Sequence, residues 1–168
     1  MRKSIIAILM TFCLSIMTYA QTPRDRATEL KEQAQSSLNQ KDYIKARYLF
    51  KKAYEAFATR GNYPQAIECG VQANALYVRE NFYKEGFELC RDMDQLIWTG
   101  EQNQKKVFYD LRFLVNKERL RMYTALKNPA QAKTQLNKLE ETANLAKNDS
   151  LTEVLLYTKA NYYYTFNQ

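Results

Sequence analysis

The chain has 168 residues and a formal net charge of +7. Its length is enough for one domain or one repeat array, and its hydrophobic content of 46% is enough to form a core. It has no histidine, which excludes Ser–His and Cys–His catalysis and the common zinc sites. Four isolated glycines exclude a Walker A loop and a dinucleotide-binding fingerprint, and together with three prolines they leave little room for sheet turns. The chain after its first twenty residues is therefore predicted to be all-α, with no catalytic residue, cofactor or metal.

The first twenty residues have the three parts of a secretory signal peptide. Arg2 and Lys3 are positive, residues 4–17 are almost unbroken apolar, and Thr18 and Ala20 are small residues before a predicted cleavage after Ala20. An uncleaved anchor is the alternative, although a spanning helix needs roughly 20 apolar residues. The leader predicts export to the periplasm or to the outer face of the inner membrane, and its removal lowers the net charge to +5. Export argues against nucleic acid as a partner.

Caps and apolar periodicity predict about seven helices in residues 21–168, the fifth of them the longest. Asn128-Pro129 is a cap followed by proline at the first helical position, and Ser150–Glu153 has the sequence of a capping box. The predicted helices run from Arg24 to Asn39, from the cap Asp42 to Thr59, from the cap Asn62 to Arg79, from Tyr83 to Thr99 with Gly100 as the terminator, from Gln104 to Lys127, from Pro129 onward, and from Ser150 onward.

A degenerate repeat groups these helices in pairs. In each copy a small residue is followed by an apolar residue four positions later and another three after that, with a facing partner nine residues upstream. Small residues let two helices approach closely, and a period near 40 predicts stacked helix hairpins. The copies are Ser37, Ala46, Phe50 and Ala53; Tyr77, Gly86, Cys90 and Met93; and Tyr123, Ala132, Leu136 and Leu139. The pattern resembles the tetratricopeptide repeat, which implies an array of antiparallel hairpins; an irregular bundle with accidental periodicity is the alternative.

The last predicted helix carries Leu156, Ala160 and Tyr163, the pattern of the first helix of a hairpin. The small residue of its partner would fall at position 172. We therefore expect an array that is incomplete at its C-terminal end, a chain that is the N-terminal part of a longer protein, and a Tyr162–Tyr164 run and Phe166 without a partner helix.

The mature chain keeps two cysteines, Cys69 and Cys90, on the two helices of one predicted hairpin. We expect both to be reduced and buried, because Cys90 occupies a core position of the repeat. A disulfide between them is the alternative that an oxidising compartment permits.

The first helices of stacked hairpins line the concave face, and this face carries the candidate binding residues. A basic, amide-bearing groove suits a protein or peptide partner with an extended acidic segment or a C-terminal carboxylate. Ordinary solvated helix faces are the alternative for each residue. The candidates are Lys31, Gln35, Arg79, Lys117, Arg121, Asn161 and Tyr164.

Five segments that follow the leader resemble the periplasmic input region of Bacteroidetes-type sensor histidine kinases. The resemblance implies a helical repeat domain for signal transduction, placed before a membrane anchor downstream of residue 168 and a cytoplasmic kinase. Homodimerisation is left open. A stand-alone exported repeat scaffold or adaptor for envelope complexes is the alternative. The segments are Arg24–Ala27, Asp42–Arg47, Ala66–Gly70, Glu88–Asp94 and Asn161–Phe166.

Overall fold

The computed structural model describes residues 25–166, so the leader predicted in residues 1–20 and the helix start predicted at Arg24 lie outside the described residues. Within residues 25–166 the structure is all-helical, which confirms the predicted fold class. The helices are α1 Arg26–Asn39, α2 Tyr43–Thr59, α3 Tyr63–Arg79, α4 Tyr83–Gln104, α5 Tyr109–Ala125, α6 Pro129–Ala146 and α7 Asp149–Phe166. None of these seven helices is long and apolar enough to cross a membrane.

Three of the predicted caps hold the starts of their helices. The side-chain oxygens of Asp42, Asn62 and Asn128 each accept a hydrogen bond from the backbone N–H three residues later, at 3.1–3.4 Å. Each bond satisfies a backbone donor that the first turn leaves without an intrahelical partner. Gly61, at φ +69°, follows the end of α2 in the left-handed conformation that glycine adopts at low cost. These starts are therefore encoded locally.

The predicted end of α4 at Gly100 is wrong, because the helix continues to Gln104. Gly100 serves close packing instead: a Cβ there would lie 2.7 Å from Phe108 Cε2 and 2.9 Å from the ring of Tyr63. With 22 residues α4 is longer than α5, which has 17 and begins only at Tyr109. The prediction that the fifth helix is the longest is therefore also wrong.

The start of α7 is capped by Asn148 and not by the predicted Ser150 box. Asn148 Oδ1 accepts from the backbone N–H of Ser150 at 3.0 Å, and the Thr152 hydroxyl donates to the Asn148 carbonyl at 3.3 Å. Asparagine is as good a cap as serine, and here it comes two residues earlier. Ser150 thus lies inside the first turn of α7.

Consecutive helices pack against one another, both within and between the predicted hairpins. The helix pairs α1–α2, α2–α3 and α5–α6 make the most extensive contacts. The helix α5 also contacts α3 and, less extensively, α7. Among the described residues, α2, α4 and α6 make no contacts of similar extent with one another. The helix α5 therefore joins the N-terminal helices to α6 and α7.

The interior is divided into two clusters that meet at α5. The first cluster joins α1–α4 and takes Val115 and Met122 from α5, whereas the second joins α6 and α7 to Phe113 and Leu120 of the same helix. The repeat residues lie in these interiors: Ala46, Ala53, Phe50, Gly86, Ala132 and Leu136 are buried, and Tyr77 and Tyr123 are half-buried.

The α7 face that packs on the array differs from the predicted one. Leu155 and Tyr162 are buried in the second cluster, with Phe166 against the Tyr162 ring at 5.1 Å between centroids. Leu156 and Ala160 are exposed. Leu155 and Tyr162 each come one residue before a member of the predicted pattern, and they pack on α5 and α6. The expectation that Tyr162 and Phe166 lack a partner helix is therefore wrong.

Candidate binding groove

The N-terminal candidates are engaged by neighbouring side chains. Lys31 Nζ of α1 donates to Gln65 Oε1 and to Glu68 Oε2 of α3, each at 2.8 Å. The Gln35 amide donates to Asn39 Oδ1 at 3.1 Å. These residues link α1 to α3 or hold the end of α1, so they do not join the other candidates in one site.

The guanidinium of Arg79 stacks on an aromatic ring. Its Cζ lies 3.8 Å from the ring centroid of Tyr43, within the range of a cation–π contact. The contact joins the last turn of α3 to the first turn of α2. Arg79 therefore lies apart from the C-terminal candidates.

Lys117, Arg121 and Asn161 come together between α5 and α7. They line a groove of about 250 Å³, referred to below as the α5–α7 groove. Tyr164 is not among its lining residues and projects into solvent. Each wall follows a single helix face, with lining positions recurring at three- and four-residue steps. The remaining lining residues are Leu120 and Thr124 of α5 and Val154, Tyr157, Thr158 and Tyr162 of α7.

A buried carboxyl group lies beside the two cations of this groove. Glu118 is 3% exposed, and its Oε2 accepts from Asn74 Nδ2 of α3 at 3.1 Å and lies 3.8 Å from Arg121 Nη1. Burial raises the pKa of Glu118, against the opposing effects of the Asn74 hydrogen bond and the charges of Arg121 and Lys117. Because burial favours the neutral acid, Glu118 offsets less of the groove's positive charge than a solvated carboxylate would.

Glu118 is not among the site residues predicted from the sequence. A signal was present, since Glu118 lies three residues after Val115 and four before Met122, on the face of α5 that enters the first cluster. That periodicity predicts a buried carboxyl group, although its partner Asn74 lies 44 residues away and is brought close only by the fold.

The two thiols are poor nucleophiles. Cys69 and Cys90 are both free and buried, which confirms the favoured prediction over the disulfide. Burial raises the pKa of Cys69 to about 11 and that of Cys90 to about 12, so the reactive thiolate is scarce near neutral pH. In the described part of the chain, no three or more Cys, Asp and Glu side chains are grouped so as to hold a metal ion.

Comparisons with known proteins assign no family to the chain. Protein-family models, curated proteins and solved structures all give no significant match. The chemistry of the groove itself therefore indicates what the chain can bind.

Proposed function

We propose that the chain is a non-catalytic binding domain that holds a short, extended acidic peptide segment in the α5–α7 groove. The observation that carries the proposal is the convergence of Lys117, Arg121 and Asn161 beside an apolar wall that includes Leu120 and Tyr157. A groove of this kind combines apolar contact area with a few polar groups that fix orientation.

Four of the lining residues have a defined role in this proposal. Lys117 has no ion-pair partner within the described residues, so its ammonium is available to a ligand carboxylate; Arg121 adds a second cation one turn away. The Asn161 amide presents both a donor and an acceptor, which match the C=O and N–H of a peptide group. Tyr157, 71% exposed, offers a ring for aliphatic parts of the ligand.

The length of the groove limits the segment to a few residues. Positions 117–124 of α5 span about 10 Å at 1.5 Å per helical residue. An extended chain advances about 3.3 Å per residue, so about three ligand residues fit. A run of two or three acidic residues would place one carboxylate near each cation.

Calorimetric titration with a peptide of three glutamates, blocked at both ends, tests the proposal. The Lys117→Glu and Arg121→Glu variants should each bind it at least about 10-fold more weakly, because a like charge replaces an attractive one. Lys84→Glu is the matched control, since this exposed lysine of α4 lies outside the groove. A peptide with three glutamines measures the part of the affinity that is independent of charge. Equal affinities across wild type and all three variants would exclude the groove as the acidic-peptide site.

We also propose that this binding serves signalling, as the extracytoplasmic input region of a sensor kinase. The leader pattern and the resemblance of five segments support this setting. A ligand that favours one arrangement of α7 against α5 would shift the population of array conformations. Expression of the full chain with its leader in a Gram-negative host should yield a periplasmic product that begins at Gln21. A cytoplasmic product that retains the leader would contradict the proposed location.

A stand-alone envelope scaffold is the second candidate, and one observation favours it. Outside the groove, α7 exposes Leu156 by 62% and Tyr164 by 72%, and these side chains form an apolar surface suited to assembly. Hydrogen exchange distinguishes the two roles. A sensor should change the protection of amides outside the groove when the triglutamate peptide binds, whereas a scaffold should keep that protection unchanged.

A further inference from the structure

A second and larger groove lies on a different face of α5. Its volume is about 460 Å³, and it is called the α4–α6 groove here because those helices form its walls. The floor residues of α5 recur at steps of three and four, so they lie along one face of the helix. The groove is lined by Asp94, Ile97 and Trp98 of α4, Tyr109, Arg112, Asn116 and Arg119 of α5, and Lys138, Glu141, Thr142 and Leu145 of α6.

One end of this groove is apolar and exposed. Trp98, the single tryptophan of the chain, is 60% exposed, and Leu145 on the opposite wall is 53% exposed. Contacts near the start of α5 determine which turns of α4 and α6 lie opposite each other. Glu101 of α4 accepts from the Phe108 N–H at 2.8 Å, and Asn148, just beyond α6, lies 3.5 Å from an Asp110 carboxylate oxygen. The last turns of α4 and α6 therefore both meet the start of α5.

The other end of the groove is polar. Arg119 donates to the Cys90 carbonyl at 3.0 Å and to Asp94 at 2.5 Å, which places the second half of α5 beside the first half of α4. Asp94 thereby compensates the charge of Arg119. Lys138 has no ion-pair partner within the described residues, so it supplies the available positive charge.

The other charged residues of the groove favour an anionic ligand group at its polar end, near Lys138. Arg112 is already paired with Glu101, through its Nε at 2.7 Å and through Nη2. Glu141 lies one turn from Lys138 toward Leu145, and its carboxylate disfavours an acidic group in the middle of the groove. Asn116, in the middle of the floor, carries the donor and acceptor pair that fits a peptide group.

The length of the floor suits a short extended peptide. The floor from Tyr109 to Arg119 is about 15 Å long at 1.5 Å per residue, which matches four or five extended residues.

We infer that the α4–α6 groove is a second peptide-binding site, for an extended segment with an aromatic or large aliphatic side chain between Trp98 and Leu145 and an acidic side chain at Lys138. This site goes beyond the proposed function, because it lies on another face of α5 and selects an apolar anchor together with the acid. Asn116 holds the peptide backbone between the two anchors.

Selection of the mature chain against a random 12-residue peptide display library tests the inference. Enriched peptides should carry an aromatic or large aliphatic residue with Asp or Glu two to four positions away. A synthetic copy of an enriched peptide should change the fluorescence of Trp98, which reports on this groove alone because the chain has no other tryptophan.

Three variants assign the selected peptide to its site by calorimetry. Trp98→Ala should weaken binding by about 30-fold, as expected for an aromatic anchor, and Lys138→Glu by about 5-fold or more. Tyr48→Ala is the matched control, because Tyr48 is an equally exposed aromatic residue on α2 and should leave the affinity unchanged. All three residues are exposed, and circular dichroism verifies that each variant folds.

Three results would overturn the inference. They are a selection without enriched peptides, enriched peptides that bind Trp98→Ala as well as Tyr48→Ala, and enriched peptides that respond only to Lys117→Glu. The last result would remove the second site and leave the proposed function of the α5–α7 groove intact.

Discussion

The inner helices of the first region, α1–α4, bury many more side chains than α7, the last described helix. In the first region α2 alone buries six residues and α3 buries nine, whereas α7 buries only Leu155 and Tyr162. Each inner helix of the first region packs against neighbours on two sides. Within the described residues, α7 packs on one side only. The stability of a helix in a stacked array therefore depends on having neighbours on both sides.

The placement of the grooves follows from the same difference. Both grooves use α5, the helix that contributes to both clusters, and both take a wall from the C-terminal helices. Local stability is expected to be lower there, and binding surfaces are commonly drawn from such regions.

The largest effect is expected in the first cluster. Phe50→Ala should lower the free energy of unfolding by about 3–5 kcal/mol, because it removes a side chain that is 1% exposed among neighbours on all sides. Tyr162→Ala on α7 should cost less, because few contacts hold that helix. Denaturant titration of both variants measures the difference. A larger loss for Tyr162→Ala would reverse the proposed order of stability.

Overpacking of the second cluster should have an intermediate effect. Ala132 is fully buried at the α5–α6 contact, so Ala132→Leu should cost about 1–3 kcal/mol. Ala130→Leu is the control, since Ala130 is exposed two residues earlier on the same helix. Thermal unfolding of the two variants provides the comparison, and equal melting temperatures would show that the repeat register of α6 is wrong.

A smaller, pH-dependent effect is expected at Glu118, where α5 joins the first cluster. Burial raises its pKa in the folded state, so stability is lost as the pH rises from the unfolded-state pKa through that raised value. Below the unfolded-state pKa the group is protonated in both states and the cost vanishes. Glu118→Gln should therefore raise stability at pH 8 relative to wild type and have little effect at pH 4. The exposed Glu88→Gln is the control; a Glu118→Gln effect independent of pH would contradict the assignment.

The smallest perturbation is chemical modification of the thiols in the first cluster. At pH 8 both cysteines should be almost entirely protonated, given a pKa of about 11 for Cys69 and about 12 for Cys90. Iodoacetamide should therefore alkylate the folded protein far more slowly than the protein in denaturant, as followed by mass spectrometry. Fast alkylation of the folded chain would show that the first cluster opens more readily than its burial indicates.

Local signals in the sequence predicted much of the fold. The caps Asp42, Asn62 and Asn128 act within one turn, and the repeat is a local periodicity, so both are readable without the structure. The end of α4 could not be predicted from the local sequence. Gly100 has the identity of a terminator, but its position is decided by Tyr63 and Phe108 packing against it from other elements.

The candidate site was predictable only in part, for a related reason. The register of the first helices placed Lys117, Arg121 and Asn161 on a common face. The sequence did not reveal that Lys31 is bonded to α3 or that Arg79 stacks on Tyr43, since these partners lie 34 to 37 residues away. The α4–α6 groove was missed because it needs three helices, and the repeat pattern describes only pairs.

The most direct test of binding at the α5–α7 groove is chemical-shift mapping of residues 21–168, with assigned resonances, during titration with the triglutamate peptide. Saturable shifts should be confined to amides of α5 near Lys117 and Arg121 and of α7 near Asn161, with the α1–α2 hairpin unchanged. Shifts concentrated on another surface, such as the lysines of α2, or no saturable shifts at all would contradict the account.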